Sequence, residues 1–357
     1  MSLPSLGWNA RFEESFTEYR TRGLVPARIA REDRDRYMVL DESGARPAEL
    51  AGRLRHEART RADLPAVGDW VAVRPGAASP AIIEGVLPRA SAFMREGAGD
   101  TTEAQVVAAN VDTVFLVSGL DHDYNPRRIE RYLTVAWESG ATPVVVLNKA
   151  DLAEDRDARV AEVEALAPGA AVVAVSALAG DGLAALAPWL LPGRTVALLG
   201  SSGVGKSTLA NALLGEQRLA TGAVREDDSR GRHTTTHREI VALPGGALLL
   251  DTPGMRELKL WGDEDAADGV FPEIAALAEG CRFRDCRHES EPGCAVLAAA
   301  EDGTLAPERL ASWRKLQREA HWLATRLDAR ARAEEEAKWK AIHKSMRDHP
   351  KSKRWKQ

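Results

Sequence analysis

Two short stretches of the sequence carry residues suited to binding a nucleotide. The first, GSSGVGKST at residues 200–208, matches the spacing Gly-x-x-x-x-Gly-Lys-Ser of a phosphate-binding loop. Its glycines let backbone N–H groups converge on phosphate oxygens, and the helix expected after it adds a positive N-terminal dipole. We expect Lys206 to assist transfer by reaching the β and γ phosphates, and the Ser207 hydroxyl to bind Mg²⁺. The nucleotide-binding residues predicted here are Gly200, Ser201, Ser202, Gly203, Val204, Gly205, Lys206, Ser207 and Thr208.

The second stretch, NKAD, has the residue types needed to recognise a guanine base. The Asp151 carboxylate can accept hydrogen bonds from the N1–H and the exocyclic amine of guanine, a donor pair that adenine lacks. Asn148 would position the base, and the stem of Lys149 would pack along it beside Ala150. Asp151 could instead be a helix N-cap, a position where Asp is common.

Two further loops would complete a guanine-nucleotide site. In SAL, which ends the next predicted strand, a backbone N–H of Ser176 or Ala177 could meet the guanine carbonyl. In DTPG, Asp251 can hold the metal directly or through water, and the Gly254 N–H can reach the γ phosphate. An Asp-x-Pro-Gly stretch is also a common turn, but its spacing from the phosphate-loop lysine favours the nucleotide role.

The order of these stretches indicates a circular permutation. The base-reading stretch and SAL precede the phosphate loop, and GRHTTT (231–236) and DTPG follow it. An ordinary GTP-binding domain begins with the phosphate loop and ends with the base reader. Domain termini often lie close together, so such a cut and rejoining is tolerated. Pro192-Gly193 would be the joint.

Apolar runs between turn residues predict a small β-barrel near the start of the chain. The runs are LVPARIA (24–30), RYMVL (36–40), DWVAV (69–73) and AIIEGVL (81–87), with a weaker one at ELAGRL (49–54). Five short strands in this space favour a closed barrel, for which the OB type is the natural candidate. The arginines between two of the runs form either a solvated loop or an RNA-facing one: Arg53, Arg55, Arg59 and Arg61.

Beyond a small and polar linker at 91–110, strands alternate with helices and predict an α/β domain. The predicted strands are 112–119, 142–151, 171–177 and 194–200, the helices are 126–140, 159–167, 182–191 and 207–215, and a hairpin is predicted at 237–254. Ligands of such domains bind at the carboxyl ends of the parallel strands. The chain is therefore expected to be multidomain: an OB-type barrel with an N-terminal extension at 1–95, a permuted α/β P-loop domain at 96–265, and a C-terminal α-helical zinc-binding domain at 266–357.

Three cysteines and a histidine predict a structural zinc site in the last of these regions. Cys281, Cys286, His288 and Cys294 have the spacing C-x4-C-x-H-x5-C. Three thiolates and one imidazole form a closed tetrahedral set, with no position left for catalysis. Buried free cysteines are the alternative, but would not explain why all three lie beside one histidine. A long helix is predicted after the cluster, from Pro307 to Ser345.

Composition and charge narrow the class of protein further. The chain is 44% hydrophobic and 28% charged, and neither a signal peptide nor a membrane span is expected, so we expect a cytoplasmic protein without a membrane partner. Residues 338–357 carry six Lys and two Arg against one Asp, a net +7, whereas the whole chain has −5. A basic tail on an acidic body indicates a polyanion partner, or else a solvated end that aids solubility.

Taken with the motif order, these features resemble one family: the circularly permuted, ribosome small-subunit-dependent GTPases. The resemblance rests on the leading barrel, the permuted motifs, GRHTTT and the cysteine cluster, and it fades in the extreme N-terminus and the basic tail. It implies GTP hydrolysis to GDP, stimulation by the 30S subunit late in its assembly, contact with 16S rRNA, Mg²⁺ with GTP and one structural Zn²⁺. We expect a monomer.

The hydrolytic machinery departs from the pattern of many GTPases. The position after the DTPG glycine, where a Gln often orients water, is Met255, so we expect slow intrinsic turnover. His233 is the candidate to orient water or move a proton, although it could be a solvent-exposed loop residue that matters only on the ribosome. One of Thr234, Thr235 and Thr236 should supply a second Mg²⁺ hydroxyl, and spacing favours Thr235.

Two other functions fit parts of the pattern. Met255 leaves open a GTP-locked RNA-binding clamp in which hydrolysis is incidental. A generic P-loop ATPase is the third reading, and the guanine-selective carboxylate of Asp151 disfavours it. Turnover with and without purified 30S subunits separates the first two.

Overall fold

The computed structural model describes residues 2–33, 36–76, 80–96, 104–217, 238–251 and 270–327. Its strands and helices follow the predicted order of a barrel, an α/β sheet and a helical C-terminal unit. Eleven of the described strands form one continuous sheet that includes the barrel, and two more form a separate hairpin. The domain boundaries predicted above remain predictions.

Five strands near the N-terminus close into a barrel. They are β1 (Val25–Asp33), β2 (Arg36–Asp41), β3 (Gly44–Leu50), β4 (Trp70–Val73) and β5 (Ala81–Val86). The order β1-β2-β3-β5-β4 closes because β4 also pairs with β1. Closure leaves no unpaired strand edge within the barrel, and small and β-branched residues such as Ala27, Ile29 and Val71 fill its interior.

The strand predicted at 49–54 was wrong in position. The third strand is β3, and helix α2 (Gly52–Glu57) begins directly after it. Of the β3 side chains only Ala48 is buried, and Pro47 lies inside the strand opposite Met38. The hydrophobic pattern was therefore too weak to reveal a strand whose pairing with β2 and β5 holds it in place.

An N-terminal segment covers both the barrel and the permutation joint. Helix α1 (Ala10–Thr21) is capped by the Asn9 side chain and places two phenylalanines against the barrel. At the joint, Gly193 has a φ of 76°, and a Cβ there would lie 2.5 Å from the carbonyl oxygen of Pro4. Only glycine fits this close approach, which explains the residue at the joint.

One buried arginine ties the barrel to its neighbours. Arg28 donates hydrogen bonds to the carbonyl oxygens of Leu6, Gly68 and Asn110, from the N-terminal segment, the barrel and the connection to the α/β sheet. Burial lowers the pKa of Arg28 to about 10, which still leaves it charged at neutral pH. The three carbonyls replace the water that this charge loses on folding.

Residues 91–110 were predicted to be a linker, and this was wrong. Strands β6 (Ala92–Glu96) and β7 (Ala104–Ala109) pair antiparallel there. Phe93, Val107 and Ala108 are buried, so the hairpin belongs to the core between barrel and α/β sheet. The small and polar residues between the two strands concealed the short apolar runs on either side.

The central sheet has the expected α/β architecture. Its strands are β8 (Thr113–Gly119), β9 (Thr142–Asn148), β10 (Ala171–Ala174), β11 (Thr195–Leu199), β12 (Arg238–Ala242) and β13 (Leu248–Asp251), in the order β10-β9-β8-β11-β13-β12. Helices α3 (Pro126–Ser139), α4 (Arg156–Leu166) and α5 (Lys206–Leu214) connect or follow them. The predicted helix at 182–191 is a 3₁₀ segment, Leu183–Trp189. All these strands except β12 run parallel, so their carboxyl ends share one edge.

The sheet continues from the α/β region into the barrel. Strand β12 pairs antiparallel with β1, with Arg31 opposite Glu239 and Glu32 opposite Arg238. The strand that follows GRHTTT in the chain therefore extends a barrel strand. This pairing fixes the barrel to the side of the sheet farthest from the base-reading strands.

Three helices form the described part of the C-terminal unit. They are α6 (Pro272–Ala278), α7 (Ala295–Glu301) and α8 (Pro307–Leu327). The last begins where the long helix was predicted, and the continuation toward Ser345 lies outside the described residues. No helix in the described ranges is both long enough and apolar enough to cross a membrane.

Candidate functional site

The phosphate loop lies between β11 and α5, as its sequence predicts. Gly200 and Gly205 both have positive φ, 158° and 93°. A Cβ on Gly200 would lie 2.2 Å from the Val117 carbonyl oxygen, and one on Gly205 would lie 2.2 Å from Asn148 Nδ2. These two glycines are required because other strands approach the loop backbone, in addition to any contact with phosphate.

The ammonium of Lys206 lies inside this loop. Its Nζ donates to the carbonyl oxygens of Gly200 at 2.7 Å and Ser201 at 2.5 Å. Ser207 and Thr208 follow in the first turn of α5, half-buried. The loop thus gathers a fixed positive charge, a helix N-terminus and a hydroxyl, the set needed to bind phosphate with Mg²⁺.

Asn148 joins the base-reading stretch to the phosphate loop. Its buried side chain donates from Nδ2 to the Val204 carbonyl oxygen at 2.8 Å, and its Oδ1 accepts from the Ala177 N–H at 2.9 Å. One amide therefore connects three loops that the sequence assigned to a single site. Each of its partners is a buried backbone group, which would be costly to leave unpaired.

The rest of the base-reading stretch lies at the same sheet edge, with Lys149 and Ala150 half-buried and Asp151 exposed. Lys149 has a φ of 62°, unusual for a residue with a side chain, and starts a 3₁₀ turn, Ala150–Leu152. Asp151 lies exposed in this turn, whereas the N-cap residue of α4 is Asp155. The alternative that Asp151 caps the following helix is therefore wrong, and its carboxylate is available to a ligand.

An acidic residue missed by the sequence reasoning holds Lys149. Lys149 Nζ lies 2.5 Å from Asp121 Oδ2, in the loop after β8. Partial burial raises the pKa of the Asp121 carboxyl, but the hydrogen bonds from Lys149 and the Asp123 N–H outweigh it, and the pKa is lowered overall. This pair fixes the direction of the Lys149 side chain.

SAL is where the prediction put it, at the end of the strand beyond β9. Ser176 and Ala177 are buried, and the Ser176 hydroxyl accepts from the Ala179 N–H at 3.2 Å. Leu178 is 85% exposed at this edge. Leu178 directly follows Ala177, whose N–H binds Asn148, so this exposed apolar side chain lies near the base-reading stretch in the fold.

A second cluster missed by the sequence reasoning contacts the phosphate loop itself. Arg128 Nη1 donates to the Ser201 hydroxyl and to Asp123 Oδ2, both at 2.7 Å, and the Ser201 hydroxyl donates to Asp123 Oδ2 at 2.9 Å. The hydrogen bond from Arg128 is the largest cause that lowers the pKa of the Asp123 carboxyl. DHDYNPRR follows a strand next to the phosphate-loop strand, a position that could have identified these residues.

Part of the predicted site lies outside the described residues. Asp251 ends β13, next to the phosphate-loop strand in the sheet, and its role toward the metal stays a prediction. The remaining predicted residues lie in segments that are not described: His233, Thr234, Thr235, Thr236, Gly254 and Met255.

The four predicted metal ligands converge in the C-terminal unit. The ligand atoms of Cys281, Cys286, His288 and Cys294 all lie within 4.8 Å of one another. The two sulfurs of Cys281 and Cys294 are 3.8 Å apart, and His288 Nδ1 lies 3.3 Å from the Cys294 sulfur. A tetrahedron with Zn–S bonds of about 2.3 Å has sulfur–sulfur edges of about 3.8 Å. The donor set and its spacing therefore fit zinc.

Residues around the cluster hold the histidine ligand. His288 has a φ of 56°, its ring packs 5.3 Å from the Trp313 ring, and its carbonyl accepts a hydrogen bond from Arg314. Cys294 accepts from the Leu297 N–H as the N-cap of α7. Contacts of this kind, made by residues around a metal site, orient its ligand side chains.

Two sequence models of known families match the chain. The one described as RsgA GTPase matches residues 86–261. The one described as ABC transporter matches residues 188–345. The second stretch contains the phosphate loop but neither Asn148 nor Ala177, so it leaves out two of the three loops that Asn148 connects.

Solved structures share the fold. The crystal structure of YjeQ from Thermotoga maritima is 28% identical with a TM-score of 0.63, covering 83% of this chain and 98% of that one. YloQ, described as a circularly permuted GTPase, is 24% identical with a TM-score of 0.61, covering 83% and 95%. The second likeness shows the fold, including the permuted order found here.

Curated relatives match over nearly the whole chain. The small ribosomal subunit biogenesis GTPase RsgA of Opitutus terrae is 55% identical over 357 residues, covering 97% of each chain. The protein of the same name from Syntrophotalea carbinolica is 45% identical over 363 residues, covering 99% of this chain and 98% of that one. With this identity and coverage, and with the permuted site in place, the chain belongs to the RsgA family of GTPases.

Proposed function

We propose that this chain hydrolyses GTP to GDP and phosphate with stimulation by the small ribosomal subunit, and acts in the late assembly of that subunit. The observation that carries the proposal is the double hydrogen bond of Asn148, to Val204 and Ala177. It holds the base-reading and phosphate-binding loops in one fixed relation, which suits a whole guanine nucleotide. The names of the relatives, small ribosomal subunit biogenesis GTPase, supply the partner.

The nucleotide would be bound from both ends. Asp151 would read the guanine N1–H and amine, with the Lys149 stem and Leu178 on the faces of the base. At the other end the loop N–H groups and Lys206 would hold the β and γ phosphates. Selectivity for guanine would come from one carboxylate, since adenine offers it no matching donor pair.

Mg²⁺ would be held between the phosphates, the Ser207 hydroxyl and a hydroxyl from Thr235, with Asp251 close by. When bound, the cation neutralises charge that develops on the β and γ oxygens. His233 would orient the attacking water in place of the Gln that Met255 replaces. With no such Gln, we expect slow turnover until the ribosomal subunit positions the segment that carries His233.

One Zn²⁺ would be held by Cys281, Cys286, His288 and Cys294. All four positions of the tetrahedron are then occupied by protein, so the metal would stabilise the fold of the C-terminal unit and take no part in hydrolysis. Because thiolates bind only when deprotonated, zinc affinity should fall at acid pH.

Two exposed surfaces are suited to 16S rRNA. In the cysteine loop, Phe283 is 42% exposed and the Arg282 guanidinium lies 5.5 Å from its ring centre, with Arg284 and Arg287 also exposed. An exposed aromatic ring among arginines can stack on an unpaired base while the charges contact phosphates. The second surface is the exposed arginine set on α2 and the turn after it: Arg53, Arg55, Arg59 and Arg61.

The subcellular place and oligomeric state follow from the partner. Bacterial ribosomal subunits assemble in the cytoplasm, so we place the chain there. We expect a monomer, because each subunit would present one binding site; light scattering of the purified chain checks this.

The test is GTP turnover by the full chain with and without purified 30S subunits. We expect stimulation of at least about tenfold, a lower bound beside the roughly 10³- to 10⁵-fold gained when a GTPase site is completed by an arginine. Purified 50S subunits are the matched control. A GTP-locked RNA-binding clamp predicts nucleotide-dependent binding to 30S subunits with no stimulation, so that result would replace the proposed enzyme by the clamp.

A further inference from the structure

Helix α3 connects the phosphate loop to the C-terminal unit. Its first two turns carry Arg128, whose partner Ser201 lies in the phosphate loop, and Glu130 and Arg131, whose partners lie on α8. Residues two apart on a helix point about 200° apart around the axis, so Arg128 and Glu130 lie on opposite faces. One short piece of helix is thus anchored on both sides.

On one face Arg128 fixes the phosphate loop. It binds both carboxylate oxygens of Asp123, at 2.7 and 3.1 Å, and also donates to the Ser201 hydroxyl. That hydroxyl uses its own hydrogen to bind Asp123, so its donor and acceptor roles are both filled. The backbone carbonyl of Ser201 in turn accepts from Lys206, the residue expected to reach the phosphates. Ser201 is therefore the only residue between Arg128 and Lys206 in this chain of hydrogen bonds.

On the other face Glu130 is clamped by the C-terminal unit. Its buried carboxylate pairs with Arg309 of α8 and accepts from the Ser312 hydroxyl at 2.7 Å. One residue on, Arg131 Nη2 lies 2.6 Å from Glu319 Oε1 of α8. The buried carboxylate therefore has a charged partner and a hydroxyl partner on α8, and together they favour one geometry for the contact.

Arg309 also contacts residues that follow the DTPG stretch in the chain. Its guanidinium donates to the Val270 carbonyl at 3.0 Å and to Glu273 Oε1 at 2.7 Å, and lies 4.3 Å from the Phe271 ring centre. Val270 is the first described residue after the stretch that carries DTPG. A movement of α8 would therefore act on α3, through Glu130, and on Val270 at the same time.

We propose that Arg128, held by Asp123, is a positioning residue for the phosphate loop, and that Glu130 and Arg309 transmit the position of the C-terminal unit to it through α3. Binding of a partner to the C-terminal unit would then alter the site through a direct chain of contacts. The first half concerns nucleotide binding alone. The second half rests on the proposed stimulation by the small ribosomal subunit.

The first half is tested by nucleotide affinity of the free, full chain. For Arg128→Met we expect the Kd of a fluorescent mant-GDP to rise about tenfold, with Asp123→Asn changed in the same direction. Arg127→Met, an exposed arginine on the same turn, is the matched control and should stay within about twofold. Arg128→Lys should bind mant-GDP more tightly than Arg128→Met, because lysine keeps the positive charge. It should bind less tightly than wild type, because it lacks the two nitrogens that bind both Asp123 oxygens. Unchanged affinity in both Arg128→Met and Asp123→Asn would overturn the positioning role.

The second half is tested by Glu130→Gln and Ser312→Ala, which keep the shape of the contact. We expect mant-GDP affinity within about threefold of wild type but a several-fold loss of 30S stimulation in both. Full stimulation in folded Glu130→Gln and Ser312→Ala would overturn the transmission. A wild-type chain without any stimulation would instead contradict the proposed function and leave the Arg128 result standing.

Discussion

The nucleotide site draws its residues from distant parts of the chain, whereas the cysteine cluster draws all four from residues 281–294. Asn148 and Val204, hydrogen-bonded across the site, are 56 positions apart. The cluster is closed by a short loop whose geometry is set by its own turns and ligands. The nucleotide site is closed by a sheet, which places the carboxyl ends of β8, β9 and β11 side by side.

This difference explains how a GTP-binding site can survive permutation. The site depends on which strands are neighbours, and the order β10-β9-β8-β11-β13-β12 does not require any order along the chain. The joint at Pro192-Gly193 only has to be short and sterically permitted, which Gly193 provides. A site made of one loop, such as the cysteine cluster, has no such freedom, because a cut within it would separate its ligands.

The comparison predicts that removing one ligand destroys the local site. In Cys294→Ser we expect loss of the bound zinc and cooperative unfolding of α6 to α8, a cost of several kcal/mol, because structural zinc contributes directly to folding. Zinc content by mass spectrometry and helix content by circular dichroism measure this. Ser290→Ala, an exposed change in the same loop, is the control. Full zinc content in Cys294→Ser would show that the cluster is not a closed four-ligand site.

Removing the Asn148 side chain should weaken the nucleotide site but leave the sheet folded. Asn148→Ala leaves the buried Val204 carbonyl and Ala177 N–H unpaired, so we expect the free energy of unfolding to fall by about 3 kcal/mol. Urea unfolding measures this, and Asn125→Ala at the exposed start of α3 serves as comparison, with a cost of about 1 kcal/mol. Equal costs for the two variants would mean that Asn148 does not connect the loops.

A substitution of the exposed Asp151 should alter nucleotide specificity and leave the fold intact. For Asp151→Asn we expect GTP affinity to fall about 100-fold and xanthosine triphosphate to be bound better, because the amide offers a donor where guanine also has one. Fluorescence competition with each nucleotide measures the switch. Asp157→Asn, a 97% exposed acid on α4, is the matched control. Tight GTP binding by Asp151→Asn would favour a general phosphate binder.

The smallest effect on the free energy of unfolding is expected at the Asp121–Lys149 ion pair, which is partly exposed to solvent. Asp121→Asn removes the ion pair with Lys149, whose side chain is 29% exposed, and should cost about 0.5 kcal/mol. Because folding lowers the pKa of Asp121, its contribution is present above the ordinary Asp value of about 3.9 and is lost as the pH falls below it. The two unfolding curves should therefore differ at pH 7 and converge in acid. A difference in the free energy of unfolding that persists at low pH would show that Asp121 stabilises the fold by packing and not by its charge.

Sequence patterns revealed the elements with strong local signals. The buried strands β8, β9 and β11 and helix α3, with Pro126 at its start and Gly140 at its end, lie close to their predicted positions. Two wrong predictions, the strand at 49–54 and the linker at 91–110, fell where the apolar residues are isolated or occur only in short runs. Both β3 and the β6–β7 hairpin are stabilised by pairing with neighbours, which composition does not record.

The sequence by itself predicted the residues of both sites: the phosphate loop, the carboxylate proposed to bind guanine and the four proposed metal ligands are local patterns of residue type and spacing. Only the tertiary structure decided how Asn148 joins three loops, that Asp121 holds Lys149, and that Arg128 holds Ser201 while Glu130 on the opposite face meets Arg309. The physical reason is how far apart along the chain the interacting residues lie. A spacing motif is set by neighbouring residues, but a hydrogen bond between distant segments depends on which strands and helices the fold brings together.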